Sequence, residues 1–178
     1  TTNTNTGIAI QGYEGSFHQV AARSFFGKTV TVIPCASFRE LIQIAGDAKQ
    51  SAGAVMAIEN SIAGSILPNY NLLQKSKLKV VGEIYLSISQ NLLVNPGVRL
   101  EDIKEVSAKL LHQHRSKHTA AIASKLAAEL FQLEMIGPDI HTMKNNITRF
   151  LVLKRAGTFK ADINANKASV YFQTSHDK

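Results

Sequence analysis

Apolar and polar positions alternate along the first third of the chain in blocks that switch between strand and helix periods. Residues 8–11 and 29–33 are apolar and rich in β-branched side chains and read as strands; residues 17–26 between them read as a helix that stops at Gly27, a residue suited to a left-handed cap. This is a βαβ unit. Ser37-Phe38-Arg39-Glu40 has capping-box spacing, which predicts a second helix from Phe38 to about Lys49, and the apolar run 54–58 is the next strand. Strands alternating with helices predict a parallel sheet with right-handed crossovers.

The pattern then loosens. Residues 66–74 read as a helix interrupted near its start by Pro68; residues 79–95 form a long β-rich run, bent around Gly82 and closed by Asn95-Pro96-Gly97, that suits a crossover between two lobes. Residues 120–123 fit strand or helix equally, 125–133 are helical, and Met135-Ile136 leads into a Gly137-Pro138 turn. Residues 147–153 alternate as a strand that returns to the first lobe. No internal repeat accompanies these elements.

A chain of 178 residues with 44% hydrophobic content can bury one well-packed core or two small lobes sharing a hinge. No apolar run approaches the roughly 20 residues that span a bilayer, and residues 1–6 lack the charged and apolar regions of a signal peptide, so neither a membrane nor export is expected. The single cysteine, Cys35, cannot form an internal disulfide and suits a reducing, cytoplasmic setting; in a Val-Ile-Pro-Cys-Ala run it reads as a small hydrophobe rather than a nucleophile. The net charge of +7 fits either an anionic ligand or a solvated basic surface. A nucleic-acid reading would draw on Lys109, His112, His114, Arg115, Lys117 and His118, but no aromatic residues for base stacking are interleaved with them. Their histidines match no metal-ligand spacing, so no metal is assigned.

Candidate chemistry sits where strands end. The run 54–58 stops abruptly at Glu59, Asn60 and Ser61, and in open α/β sheets the ligand crevice lies outside the carboxyl ends of strands. Asn60 and Ser61 offer neutral donors for a carboxylate, or else cap the following helix. Glu59 would repel an anion unless paired, so it reads as an orienting partner, of Arg149 for example. The turn from Gly12 to Ser16 offers backbone amides at a helix start, a natural carboxylate site. His18 reads as a solvated first-turn histidine, with donation to a ligand as the alternative. Thr148 and Arg149 are neighbours in an extended strand and point to opposite faces, which weighs against joint contact with one ligand.

Three segments stand in order along the chain: Gln11-Gly12-Tyr13-Glu14-Gly15-Ser16-Phe17-His18, Ala57-Ile58-Glu59-Asn60-Ser61-Ile62-Ala63-Gly64 and Asn145-Asn146-Ile147-Thr148-Arg149-Phe150-Leu151. Together they resemble the signature segments of prephenate dehydratase, and the resemblance runs from about Ile8 to Lys154. It implies an enzyme of phenylalanine synthesis that converts prephenate to phenylpyruvate, carbon dioxide and water with no metal or organic cofactor. It also implies two α/β lobes around a cleft, of the type II periplasmic-binding-protein kind, and a C-terminal ACT domain that binds phenylalanine as effector. On this reading Thr148 donates to the leaving hydroxyl, and Asn60, Ser61, Gly15, Ser16, Phe17, Arg149 and Phe150 bind substrate. Glu59 and Gln90, the latter where the family often has histidine, orient or support.

The implied organisation is a catalytic domain over 1–160, with one lobe from about 7–80 plus 141–158 and the other from about 82–140, then a linker and the first ACT strand in 161–178. Homodimers or homotetramers are expected; prephenate and arogenate are not distinguished. A non-catalytic module that binds small anions is the alternative. Two departures from the family stand out. Family members carry a further segment after residues 103–106, with Ser-His-Pro and Ser-Thr-x-x-Ala sequences that are absent here, while both flanks keep the family's character. A stretch of the natural polypeptide is therefore expected between Val106 and Ser107. Residues 166–174 resemble an opening ACT strand, and a complete ACT domain does not follow.

Overall fold

The structure, a computed structural model, describes residues 7–107, 116–159 and Lys167. The ACT-like strand and most of the basic cluster at 109–118 lie outside these residues.

Two sheets carry the fold. The larger has the strand order β2-β1-β3-β10-β5, with the short β4 (Gly64–Ser65) on β3. β1 (Ile8–Gln11), β2 (Val32–Cys35) and β3 (Gly53–Asn60) run parallel, joined through α1 (Phe17–Phe26) and α2 (Phe38–Gly46) as the alternating pattern predicts. β10 (Ile147–Arg155) lies antiparallel between β3 and β5 (Leu78–Ser87), so the sheet is mixed. Alternation of strands and helices could not show this, because β10 returns from the other lobe rather than through a crossover helix. β3 and β10 are buried on both faces: Val55, Ala57, Phe150 and Val152 pack toward α1, whereas Met56, Ile58, Leu151 and Leu153 pack toward α2 and α3 (Leu67–Lys75). Full burial of each such side chain contributes about 1.5–3 kcal/mol.

Several boundaries move from the sequence expectation. The strand expected at 29–33 is displaced to Val32–Cys35, an edge strand where Pro34 costs no ladder hydrogen bond. α2 stops at Gly46 because the Asp47 side chain takes the Lys49 amide at 2.8 Å and the Gln50 amide group at 2.7 Å. Its cap forms as predicted at Ser37, but Glu40 reaches back to the Ala36 amide, one residue earlier than in a standard capping box. Pro68 starts α3 rather than interrupting it. Gly27 has φ 96° but ψ 161°, a glycine-only conformation outside the left-handed helical cap.

The smaller sheet has the order β7-β8-β6-β9: β7 (Glu105–Ser107), β8 (Thr119–Ala123), β6 (Asn91–Val94) and β9 (Glu134–Gly137). Residues 120–123 are thus strand. Leu93 packs on Ala127 and Ala128 of α4 (Lys125–Phe131), with Phe131, Leu133 and Met135 around them. Two connections join the sheets, residues 88–90 and 138–146. They are laced together by Ile88 N–H to Asn146 O (2.7 Å), Ile140 N–H to Gln90 O (2.9 Å) and the Ser89 hydroxyl to Asp139.

Candidate active site

A cavity of ≈ 830 Å³ lies between the sheets, floored by β3 and β10 and walled by the Gly12 to Phe17 turn, the two connections and the start of α4. Thr148 and Asn60 face each other across the β3–β10 ladder, and that register positions the centre of the site. The Asn60 Nδ2 donates to Thr148 Oγ1 at 2.9 Å and to Asn146 Oδ1 at 2.6 Å, while its Oδ1 accepts the Ile62 and Ala63 amides at 2.9 and 3.0 Å. Both amide hydrogens are spent. Asn60 therefore positions Thr148 and caps its own turn at once, and has no donor left for a ligand. Thr148, buried to 8% exposure, accepts from Asn60, which leaves its hydroxyl hydrogen to donate into the cavity.

Other predicted residues fall on both sides of this line. Gly15, Ser16, Phe17, Gln90 and Phe150 line the cavity with Asn60 and Thr148. Ser61, Glu59 and Arg149 do not. The Ser61 hydroxyl donates to Asn145 O at 2.5 Å and accepts from Ile147 N at 2.9 Å, bracing the entry to β10. Arg149 points to the opposite face, where it bonds Glu83 at 2.8 and 3.0 Å, approaches Glu59 at 3.9 Å and lies over the Tyr85 ring. Hydrogen bonds from Lys167 and Arg149 hold the Glu83 carboxyl below the usual range. The strand period accounts for this: Thr148, Phe150 and Val152 share one face, Arg149 and Leu151 the other.

The glycine turn differs from its expected role. Gly12 N–H goes to Cys35 O (2.9 Å), Gly15 N–H to Gln19 Oε1 (2.6 Å) and Ser16 N–H to Tyr13 O (3.1 Å). The amides without intrahelical acceptors are those of Phe17 and His18, in the first turn of α1. Gly15 also joins the lobes. Its carbonyl accepts from the Ser124 hydroxyl at 2.5 Å, and a Cβ built on it would lie 2.8 Å from the Ala127 Cβ, so with φ +80° only glycine fits.

His18 is half-buried rather than freely solvated. Its ring lies edge-on to Phe150 (5.0 Å) and tilted to Phe38 (5.6 Å), and its Nε2 accepts the Ala57 amide at 3.3 Å beside the bulge in the β3–β10 pairing. Desolvation pushes its pKa down to about 4, so the imidazole is neutral at physiological pH, with its N–H on Nδ1. The buried Asn69 Nδ2 donates to Ala57 O at 2.7 Å. Among the residues that sequence reasoning passed over, Asn146 stood inside the third segment, and Ser124 carried the signal of a helix cap.

Two α/β lobes on a two-stranded hinge, with neutral hydrogen-bonding groups in the cleft, define a type II periplasmic-binding-protein-like architecture. Within it the chain belongs to the prephenate dehydratase family: the family model described as prephenate dehydratase matches residues 8–109 and 106–158. Arogenate dehydratase 2 of Petunia hybrida is 31% identical over 194 aligned positions, covering 93% of this chain and 49% of the relative. The prephenate dehydratase structure from Staphylococcus aureus superposes with a TM-score of 0.65 at 28% identity, covering 84% of this chain and 66% of that one. A structure described as GqqA, a novel type of quorum quenching acylase, superposes with a TM-score of 0.73 at 28% identity, covering 83% and 63%. The chain spans about half the length of the curated relatives it matches. The 194 aligned positions exceed the 178 residues of the chain, so the Petunia relative carries residues that this chain lacks. The family match itself divides at 106–109.

Proposed function

We propose that the chain is the catalytic part of a dehydratase that converts prephenate, or its amino counterpart arogenate, to an aromatic product with loss of carbon dioxide and water. The observation that carries this reading is the hydrogen bond from Asn60 to Thr148 in the cavity lining, which supports a role for the Thr148 hydroxyl as a donor to a ligand. In the reaction the ring carboxylate leaves as carbon dioxide, the electron pair of the broken bond enters the ring, and the hydroxyl at the opposite ring position departs with a proton. Aromatisation drives both losses, so the protein need only hold the carboxylates and stabilise the departing oxygen. Thr148 donates to that oxygen. The Phe17 and His18 amides and the neutral imidazole supply donors that do not pin the departing carboxylate as a nearby lysine or arginine would.

The likeness to an acylase does not displace this reading. Acyl transfer through a serine needs its hydroxyl bonded to a base, whereas of the two serines in the described lining Ser16 Oγ accepts the Gln19 amide and Ser124 Oγ donates to a backbone carbonyl. Alkaline absorbance of phenylpyruvate formed from prephenate, with phenylalanine formed from arogenate measured alongside, tests the proposal: turnover of either supports it, and binding of both without turnover of either would instead support the anion-binding module.

The wider organisation belongs to the same proposal. The lobe boundary expected at 80–82 moves to 88–90, because β5 runs in the larger sheet as far as Ser87: residues 7–87 with 147–158 make one lobe and 91–137 the other, and 161–178 lead into an ACT domain that takes phenylalanine in a cytoplasmic homodimer or homotetramer. Among the described residues no helix is long and apolar enough to cross a membrane. A saturable phenylalanine-dependent rise in Tm of the full-length polypeptide is expected, since a ligand bound to the folded state stabilises it; no rise would contradict the effector role. The natural polypeptide also carries residues between Val106 and Ser107. β7 runs parallel to β8, so its carboxyl end lies at the same side of the sheet as Ala123 and Ser124, where added residues would wall the cavity.

A further inference from the structure

The charge of the cavity runs against the charge of the molecule. The chain has 20 lysines and arginines against 13 acidic residues, yet among the described residues the cavity lining holds no lysine or arginine and one carboxylate, that of Glu14. Glu14 is exposed at the mouth, and no ion pair engages it among the described residues.

We infer that Glu14 is a specificity residue that favours the ammonium-bearing substrate, arogenate, over the keto acid prephenate. The inference rests on the dehydratase reading and deepens it. In both substrates the leaving hydroxyl and the three-carbon side chain stand at opposite ring positions. With the hydroxyl seated on buried Thr148, the side chain points away from the cavity floor and toward the mouth, where Glu14 stands. The two side chains differ at one position only, an ammonium in place of a keto oxygen. A carboxylate there attracts the ammonium, whereas for prephenate it adds a third negative charge to the two of the substrate. Among the described residues the lining offers no cation to offset that repulsion. A single charge pair a few ångströms apart in solvent-exposed surroundings is worth about fivefold in binding, and more where water is excluded.

The test compares kcat/KM for arogenate and prephenate in the unmodified protein and in Glu14→Gln, at low and high ionic strength. The ratio isolates the ammonium, because both substrates carry the same two carboxylates. The unmodified protein should prefer arogenate; Glu14→Gln should cut that preference about fivefold or more, through KM rather than kcat, and added salt should narrow it in the unmodified protein. An unchanged ratio in Glu14→Gln, or a preference for prephenate in the unmodified protein, would overturn the inference and leave the dehydratase reading standing. Absence of turnover on both substrates would sink that reading and this inference together.

Discussion

Asn60 spends every hydrogen-bonding group it has on the protein, and this decides what Thr148 can do. A hydroxyl accepts and donates at once; with Thr148 Oγ1 accepting from Asn60 at 2.9 Å, its own hydrogen stays free to donate. Asn60→Asp keeps the shape and removes both donors, so Thr148 would turn its hydrogen toward the new carboxylate. Its kcat should fall about tenfold or more with KM little moved, and steady-state kinetics check that split. His18 carries a second prediction at this scale. The folded protein keeps the imidazole neutral down to about pH 4, whereas the unfolded chain protonates near the ordinary 6.5. The unfolded state thus binds more protons across that window, and stability falls as pH drops from 6.5 toward 4 and levels below it. The loss is on the order of 2 kcal/mol. Urea titrations at pH 7 and pH 4.5 should show it in the unmodified protein and a smaller loss in His18→Gln, which keeps an acceptor for the Ala57 amide and cannot titrate.

At the level of elements, the site depends on β10 entering the sheet antiparallel between β3 and β5, because that register sets Thr148 opposite Asn60. Local pattern revealed β1, α1, the start of α2 and the strand character of β10, since each depends on its own apolar period and caps. It could not reveal the direction of β10, set by a chain returning from the other lobe, nor the shift of β2, set by pairing with β1. Thr148 was legible only through its three-segment context, because a threonine in a strand is otherwise ordinary. The readings of Ser61, Arg149 and the glycine-turn amides as substrate contacts took motif membership as contact; Ser61, Arg149 and the Gly12, Gly15 and Ser16 amides are engaged within the protein. Gly15 ties the α1 turn to α4 across the cleft, and Gly15→Ala tests that contact. A φ of +80° and a methyl 2.8 Å from the Ala127 Cβ should cost about 2 kcal/mol, read as a lower midpoint in urea with unchanged slope. Unaltered stability would mean that the lobes do not close on each other there.

For the whole molecule, two small sheets share a hinge of paired connections, and neither sheet alone makes the cavity. The smaller sheet ends in the three-residue β7, beside which the family match divides. Peptide mapping of the protein from its natural source should yield no fragment that joins Val106 directly to Ser107; such a fragment would mean that the lobe is complete as it stands. The central claim is that Thr148 donates to the leaving oxygen of a decarboxylating dehydration. Thr148→Val preserves the shape of β10 and deletes the hydrogen. With prephenate or arogenate as substrate, kcat should fall about a hundredfold, equivalent to about 3 kcal/mol in the barrier, with KM changed far less; a Thr148→Val protein that turns over substrate at the unmodified rate would contradict the account.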